Sequence, residues 1–192
     1  MSVKSELRKE VKALRRSIAD KKAADKRIAG LLFDSRFYKN AETILTYVSL
    51  EDEVDTDGII QQALSDGKQV AVPYCLDDNG HMDFYLISSM DDLHAGSFGV
   101  REPDIKKCKK LECYENSIIL VPALCFDKNG YRLGYGKGYY DRFLQNYSFI
   151  SAGLCYNSLV RMQMPTDSHD QRVDCIITDE KIVSCINGGK NG

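Results

Sequence analysis

The sequence predicts an α/β fold: one three-layer domain in which a mostly parallel sheet carries helices on both faces. Apolar segments rich in β-branched residues alternate with segments of helical periodicity along most of the chain. A strand, helix, strand unit joins the first two strand candidates, which is the kind of crossover that parallel neighbours require. The chain has 192 residues, 43% of them hydrophobic, so it can bury one sizeable core and is short for two. We therefore expect a single domain that spans residues 1–192.

Two helices are predicted before the first strand. In the first, the apolar residues recur at helical spacing and form one stripe that can pack on a core: Leu7, Val11, Leu14 and Ile18. Its basic residues are expected on other faces of the helix: Lys4, Arg8, Lys12 and Arg15. Asp20 has the side chain of a helix N-cap and is expected to begin a second helix that runs to about Phe33.

Seven strand candidates follow, separated by helix and turn signals. Thr56 is expected to cap a helix that runs through Leu64 and ends at the Asp-Gly pair 66–67, between the first two strands. A turn at residues 77–80 predicts a hairpin, and the polar segment 88–116 predicts a long loop with short elements. The strand candidates are residues 43–49, 69–75, 81–87, 117–126, 149–156, 173–178 and 181–185.

The charge composition argues against a dedicated nucleic-acid binder. Lys and Arg number 26 and Asp and Glu number 28, which gives a formal charge of −2, whereas nucleic-acid binders usually carry a basic excess. Basic residues are concentrated in the first 30 positions, which hold ten Lys and Arg and four Asp and Glu. From the residues alone, the first helix has two interpretations: a solvated face, or a cationic clamp on a phosphate-bearing ligand.

Neither the cysteines nor the histidines form a disulfide or metal-binding pattern. The seven cysteines are odd in number and lack C-x-x-C spacing, so most are expected to be buried thiols. The three histidines stand far apart and do not form an H-x-x-x-H pair. No apolar stretch approaches the ~20 residues of a membrane span, and the N-terminus lacks the apolar core of a signal peptide. We therefore expect a cytoplasmic protein with no membrane partner.

The densest chemical signal is the segment RLGYGKGYYDR, residues 132–142, which follows a strand and a turn. Its three alternating glycines allow unusual backbone angles and let N–H groups approach an anion, and a helix start follows them. This pattern predicts a phosphate-binding loop, although a flexible loop without function stays open as an alternative. The spacing matches neither a Walker loop nor the dinucleotide fingerprint. Charged side chains suited to phosphate and magnesium are Arg132, Lys137, Arg142 and Asp141.

The same segment, with VPALCFD (121–127) before it, resembles the signature of the 5-formyltetrahydrofolate cyclo-ligase family. The similarity extends over almost the whole chain, in the order expected of the family, through four further motifs. These motifs are KSELR (4–8), EDEVDT (51–56), GVREP (99–103) and VDCIIT (173–178). On these residues the chain is identified as a member of that family by resemblance.

The resemblance implies an ATP- and magnesium-dependent closure of 5-formyltetrahydrofolate to 5,10-methenyltetrahydrofolate, with release of ADP and phosphate. Phosphorylation of the formyl oxygen turns a poor leaving group into phosphate, which ring closure then expels. Such a route asks the protein chiefly for alignment and charge neutralisation. The implied cofactor is Mg²⁺, with ATP as co-substrate. The implied partners are ATP and 5-formyltetrahydrofolate, without nucleic acid, and we expect a monomer.

The resemblance also implies roles for single residues, carried over position by position. The implied catalytic residues are Lys137, Arg132 and Tyr140. The implied ATP-binding residues are Lys4, Arg8, Arg132, Gly134, Gly136, Lys137, Gly138 and Tyr139. The implied folate-binding residues are Leu50, Glu53, Tyr74, Met82 and Tyr140, with Glu53 accepting hydrogen bonds from the pterin. The implied metal ligands are Asp141 and Asp174. Core packing stays open for Leu50 and Met82, and an ordinary strand-end carboxylate for Asp174.

Two alternatives belong to other functional classes. A nucleotide-binding regulatory module would keep the glycine segment and bind ATP without turnover. An RNA-associated protein would use the basic first helix, and its binding would weaken steeply with salt.

Overall fold

A computed structural model describes residues 2–96, 99–147 and 149–185. The α-helices are α1 (Val3–Arg16), α2 (Lys21–Asp34), α3 (Arg36–Asn40), α4 (Asp57–Ser65) and α5 (Tyr139–Asn146). The first strands are β1 (Thr43–Leu45), β2 (Gln69–Cys75), β3 (Met82–Ile87), β4 (Leu93–Ala95), β5 (Arg101–Pro103) and β6 (Ser117–Val121). The remaining strands are β7 (Cys125–Phe126), β8 (Arg132–Leu133), β9 (Ile150–Leu154), β10 (Cys175–Ile177) and β11 (Ile182–Ser184).

Seven strands form the central sheet, in the order β11-β10-β9-β6-β1-β2-β3. The five inner strands are parallel, and β3 and β11 run antiparallel at the two edges. Two short antiparallel pairs, β4 with β5 and β7 with β8, lie outside this sheet. The predicted α/β class with a mostly parallel sheet is therefore confirmed.

Strands are added to the sheet on both sides of β1. From β1 it passes through α4 to β2 on one side, whereas β6, β9 and β10 are added on the other side. Because parallel crossovers are right-handed, these opposite directions place α4 and α5 on opposite faces of the sheet. The loops after β1 and β6 diverge at this point, which is where open α/β sheets bind their ligands.

The core follows the apolar sequence of the inner strands. All five residues of β6 are buried, as are all three of β1. Helix α2 covers the sheet with Ile28 and Leu32, both fully buried, and begins where Asp20 accepts a hydrogen bond from the backbone N–H of Ala23. Five of the seven cysteines are buried, as expected. Within the described ranges, no helix is long and apolar enough to cross a membrane.

Helix α1 differs from its prediction at two adjacent positions. Val11 is fully buried as expected, but Leu14 is 39% exposed and Arg15 only 4% exposed. The expectation that Arg15 lies on a solvent-facing side of the helix is therefore wrong. Its guanidinium is buried because it finds carboxylate and carbonyl partners inside the molecule.

Six of the seven strand candidates are shorter than predicted, and in two of them the strand ends early or is divided. The candidate 43–49 ends at Leu45, and the backbone then leaves the sheet to form the loop that carries the acidic motif. The candidate 117–126 is divided into β6 and β7 at Pro122, which has no N–H to donate to a strand ladder.

Two glycine-to-alanine substitutions test this packing in opposite directions. A Cβ at Gly153 of β9 would overlap the ring of the fully buried Phe126, so Gly153→Ala should lower the free energy of unfolding by about 1–3 kcal/mol. Gly30 in α2 has open space around its Cβ position, so Gly30→Ala should raise it by about 0.5–1 kcal/mol. Urea denaturation of both variants measures the difference, and equal effects would contradict the packing described here.

Candidate active site

The glycine loop, residues 134–138, joins β8 to the first turn of α5. Gly136 and Gly138 have φ values of +105° and +74°, a region that strongly favours glycine. Gly138 is also the N-cap residue of α5. The loop therefore has the backbone freedom that the sequence pattern predicts, and it precedes a helix as expected.

The two basic residues of the KSELR motif in α1 contact different segments: Arg8 contacts the glycine loop, and Lys4 contacts residues 167–170. The Nε of Arg8 donates to the backbone oxygen of Gly134 at 2.9 Å. The Nζ of Lys4 donates to the carboxylates of Asp167 and Asp170, both at 2.7 Å. Burial lowers the pKa of Lys4, but these two hydrogen bonds outweigh it and raise the pKa above its usual value. The structure thus brings the two predicted segments of the ATP site, α1 and the glycine loop, together through Arg8.

Asp167 and Asp170 are contacts that the sequence analysis did not find, because the segment around them carries no motif. Their carboxylates and the His169 imidazole lie close enough to suggest a metal cluster, with the ligand atoms within 4.8 Å of one another. The ammonium group of Lys4 already lies against both carboxylates. Within the described residues, these aspartates therefore act as counterions of Lys4.

Arg132 and Tyr140 present two buried polar atoms without a partner. The Nη2 of Arg132 lies 2.8 Å from Oδ2 of Asp141, and the side chain is only 5% exposed. Its Nη1 and the hydroxyl of Tyr140 are buried and have no hydrogen-bond partner among the described residues. The guanidinium carbon lies 5.8 Å from the centre of the Tyr140 ring. Burial lowers the pKa of Arg132, so an anion at Nη1 would stabilise its charge.

Glu53 supplies a buried carboxylate in the acidic loop after β1. Its Oε2 accepts from the backbone N–H of Leu50 at 3.0 Å, and its Oε1 accepts from the hydroxyl of Tyr135 at 3.1 Å. Burial raises the pKa of Glu53, and the Leu50 N–H and the charge of Arg15 oppose that effect. After burial, the charge of Glu53 is the main cause that raises the pKa of Tyr140.

Arg15 of α1 forms hydrogen bonds to both the acidic loop and the glycine loop. Its Nη2 donates to Oδ1 of Asp52 at 2.8 Å and to the hydroxyl of Tyr135 at 2.9 Å. Its Nε donates to Oδ2 of Asp52 at 3.2 Å, and its Nη1 donates to the backbone oxygen of Ala123 at 3.2 Å. Neither Arg15 nor Tyr135 was among the site residues predicted from the sequence. The presence of a basic residue among the apolar positions of α1 was the available signal.

A small cavity lies at this point, between the loops that follow β1 and β6. This is the position at which the order of the strands reverses. Residues that line it include Arg15, Tyr47, Glu53, Ala123 and Tyr156. The acidic loop is therefore built into the sheet edge where a ligand is expected.

The turn between β2 and β3 packs against the glycine loop and the start of α5. The Nζ of Lys137 lies 3.1 Å from Oδ1 of Asp78, and the hydroxyl of Tyr139 donates to the backbone oxygen of Asp77 at 2.6 Å. Gly80 has a φ of +93°, and a Cβ there would lie 2.8 Å from the backbone oxygen of Lys137. The predicted ATP residues Lys137 and Tyr139 are thus held by the hairpin.

The other predicted folate residues lie at separate places. Leu50 lines a groove of about 880 Å³ between α2 and the start of α4. Tyr74 is half-buried, with its ring centre 5.9 Å from that of Tyr85, and Met82 is buried in the core. Tyr74 lies at the end of β2, and Met82 lies at the beginning of the antiparallel β3. Both are therefore at the end of the sheet where the parallel strands β1 and β2 finish. Their contact with a substrate stays a prediction.

The two predicted metal ligands have different surroundings. Asp141 faces Arg132 with one oxygen and accepts from the N–H of Gln171 with the other, at 3.0 Å. Asp174 accepts from the N–H and the hydroxyl of Ser151, at 2.8 and 2.9 Å. A shared metal at these carboxylates stays a prediction.

Comparison with known proteins bears on this arrangement directly. The model described as the 5-formyltetrahydrofolate cyclo-ligase family matches residues 1–179, which includes every residue of the site. The chain belongs to this family. The resemblance drawn from the sequence motifs is therefore confirmed, and the glycine loop, α1 and the acidic loop are parts of a cyclo-ligase fold.

Individual relatives agree with the family assignment. The mouse 5-formyltetrahydrofolate cyclo-ligase is 31% identical over 159 residues, which cover 77% of this chain and 78% of the mouse protein. The Haemophilus influenzae enzyme of the same name is 34% identical over 136 residues, covering 69% and 73%. The solution structure of Aquifex aeolicus 5,10-methenyltetrahydrofolate synthetase superposes with a TM-score of 0.85 at 28% identity, covering 100% of this chain and 97% of that one.

The unpartnered hydroxyl of Tyr140 gives a prediction that separates a ligand site from a structural core. Tyr140→Phe should leave the free energy of unfolding unchanged or higher, because the chain loses no hydrogen bond, while it lowers enzyme activity. Tyr156→Phe is the matched control, since that hydroxyl bonds Asp25 and the backbone of Glu53, and its loss should cost about 1–3 kcal/mol. Thermal and urea unfolding of both variants measure this. A Tyr140→Phe protein as unstable as the control would show that the hydroxyl serves the fold.

Proposed function

We propose that the chain catalyses closure of 5-formyltetrahydrofolate to 5,10-methenyltetrahydrofolate with ATP and Mg²⁺, releasing ADP and phosphate. The observation that carries this proposal is the pair of buried, unpartnered atoms on Arg132 and Tyr140, the residues that flank the glycine loop. Buried polar groups are nearly always hydrogen-bonded in folded proteins. Two such groups side by side therefore support a site completed by substrate.

The nucleotide would lie on the glycine loop. Its phosphates would accept hydrogen bonds from the loop backbone and from Nη1 of Arg132, and they would contact Lys4, Arg8 and Lys137. Several of these cations now pair with the chain's own carboxylates: Lys4 with Asp170, Arg132 with Asp141 and Lys137 with Asp78. ATP would thus exchange one anionic partner for another, and the cations would need little rearrangement.

The folate would lie on the Glu53 side of Tyr140. A pterin presents neighbouring amino and ring N–H donors, and the carboxylate of Glu53 is a suited acceptor because it is buried and fixed at both oxygens. The groove lined by Leu50 is open beside this position and would accommodate the rest of the folate. Tyr140 would then contact both substrates.

Magnesium would be held by Asp141 and Asp174. Asp141 meets the chemical requirement of a hard oxygen ligand and lies beside Arg132 in the first turn of α5. When bound, the ion would neutralise charge on the transferred phosphoryl group. The residues of the chain would supply alignment and the remaining positive charge.

The reaction then requires two bond exchanges. The formyl oxygen attacks the γ-phosphorus of ATP, and the bond to the bridging oxygen of ADP breaks. N10 of the folate attacks the activated formyl carbon and loses its proton, and the carbon–oxygen bond breaks as phosphate leaves with the formyl oxygen. Arg132 and Lys137 would stabilise the charge that spreads over the phosphoryl oxygens during the first exchange. The cytoplasm, which supplies ATP and reduced folates, suits this chemistry.

A spectroscopic assay tests the proposal directly. Purified protein with ATP, Mg²⁺ and 5-formyltetrahydrofolate should develop the methenyl chromophore, with one ADP formed per product. Omission of Mg²⁺ or replacement of ATP by a non-hydrolysable analogue should abolish it. Tight ATP binding without any chromophore would overturn the proposal and support a regulatory nucleotide-binding module.

Substitution of Lys137 tests the role of the glycine loop in the chemical step. Lys137→Ala should lower kcat by about 10²-fold because it removes a positive charge that stabilises the negative charge of the transition state. Lys106→Ala is the control, since Lys106 is an exposed lysine on the segment after β5, away from the loop. Steady-state rates of both variants measure the effect. Equal rates for wild type and Lys137→Ala would remove Lys137 from the catalytic residues.

A further inference from the structure

The feature that the proposed reaction leaves unexplained is the buried guanidinium of Arg15. Its side chain is only 2% exposed, and none of the roles proposed above requires it. Removing such a charge from water costs several kcal/mol, which good hydrogen-bonding geometry must offset. Arg15 meets this condition with two hydrogen bonds to one carboxylate, one to a hydroxyl and one to a backbone oxygen.

The partners of Arg15 belong to the two loops that would hold the two substrates. Asp52 lies in the acidic loop, directly before Glu53, and it binds the guanidinium in a bidentate manner. Tyr135 lies in the glycine loop. Its hydroxyl accepts from Nη2 of Arg15 and donates to Oε1 of Glu53, so a continuous chain of hydrogen bonds runs from α1 to the folate-side carboxylate.

We propose that Arg15 is a positioning residue for the folate substrate: its direct ion pair with Glu53, at 3.7 Å, and its hydrogen bonds to Asp52 and Tyr135 hold the Glu53 carboxylate where it can accept the substrate. The inference rests on the proposed function, because it needs Glu53 to receive the pterin. Arg15 itself touches no reacting atom. It would couple the glycine loop to the acidic loop, so that movement of one displaces the hydrogen-bond acceptor on the other.

The electrostatics of Glu53 agree with this role. Burial raises the pKa of Glu53, and the positive charge of Arg15 and the hydroxyl of Tyr135 hold it down. Loss of either group should raise the Glu53 pKa further, so that the carboxylate becomes protonated at a higher pH. Other ionisable groups that face Glu53 from the packed elements are Asp52, Tyr47, Tyr140 and Tyr156. The pKa values of the three tyrosines are raised, so these side chains are neutral where Glu53 titrates.

The test compares Arg15→Met with Arg16→Met, which makes the same change at the next, exposed position of α1. Arg15→Met should raise the KM for 5-formyltetrahydrofolate by at least about tenfold, since a charged hydrogen-bond partner is lost, and leave the KM for ATP within about twofold. The acidic limb of its pH profile for kcat/KM should move to higher pH. Arg16→Met should change none of these quantities.

Two further variants separate positioning from a purely structural role. Arg15→Lys keeps the positive charge but loses the planar guanidinium with its paired N–H donors. The acidic limb of the kcat/KM profile should therefore return to its wild-type position, while the folate KM stays raised. Tyr135→Phe removes only the bridging hydroxyl of a half-exposed side chain, and it should raise the folate KM and move the limb in the same direction as Arg15→Met. Its effect should not add to that of Arg15→Met in the double variant.

The outcomes are distinguishable. If wild type forms no methenyl product, the proposed function fails and this inference fails with it. If wild type turns over and Tyr135→Phe leaves both the folate KM and the acidic limb unchanged, only the inference is overturned, whether or not Arg15→Met folds. An Arg15→Met protein that loses stability but keeps the wild-type limb and folate KM would likewise overturn it, because that is the result of a structural role alone.

Discussion

Buried charge at the carboxyl edge of the sheet is the constraint on which the site depends. Arg15 and Glu53 are buried beside the partly exposed Asp52, and buried charges are tolerated only when their partners are well aligned. Their alignment requires α1, the acidic loop after β1 and the glycine loop after β8 to meet in one arrangement. These segments lie far apart in the chain, so the fold of the whole sheet is needed to assemble them.

Charged residues have a second role beside the glycine loop, where the nucleotide would bind. Lys4, Arg132 and Lys137 are each paired with a carboxylate of the chain, which keeps three cations close to the glycine loop when no phosphate is there. Most of these contacts are partly exposed, and such pairs contribute little to stability. They can therefore be exchanged at small cost. Arg132 is the exception, because it is buried and keeps one nitrogen without a partner.

Much of the fold was predictable because it depends on local patterns. Alternating strand and helix signals gave the parallel sheet, and the glycines at 136 and 138 stand where the backbone needs positive φ. Arg15, Asp167 and Asp170 were not predictable as site residues. Arg15 meets Asp52 across 37 residues and Tyr135 across 120, and Lys4 meets Asp170 across 166, so each role exists only after the sheet has formed. Helical periodicity also predicts that an arginine is exposed to solvent, because the pattern contains no information about a carboxylate that is distant in the sequence.

The central claim is that substrate supplies hydrogen-bond partners to the two unpartnered atoms on Arg132 and Tyr140, which flank the glycine loop. A crystal structure of the protein with MgADP and 5-formyltetrahydrofolate measures this most directly. We expect Nη1 of Arg132 within hydrogen-bond distance of a phosphate oxygen, and the Tyr140 hydroxyl bonded to one of the two ligands. A complex in which the phosphates lie elsewhere, and both atoms still lack a partner, would contradict the account.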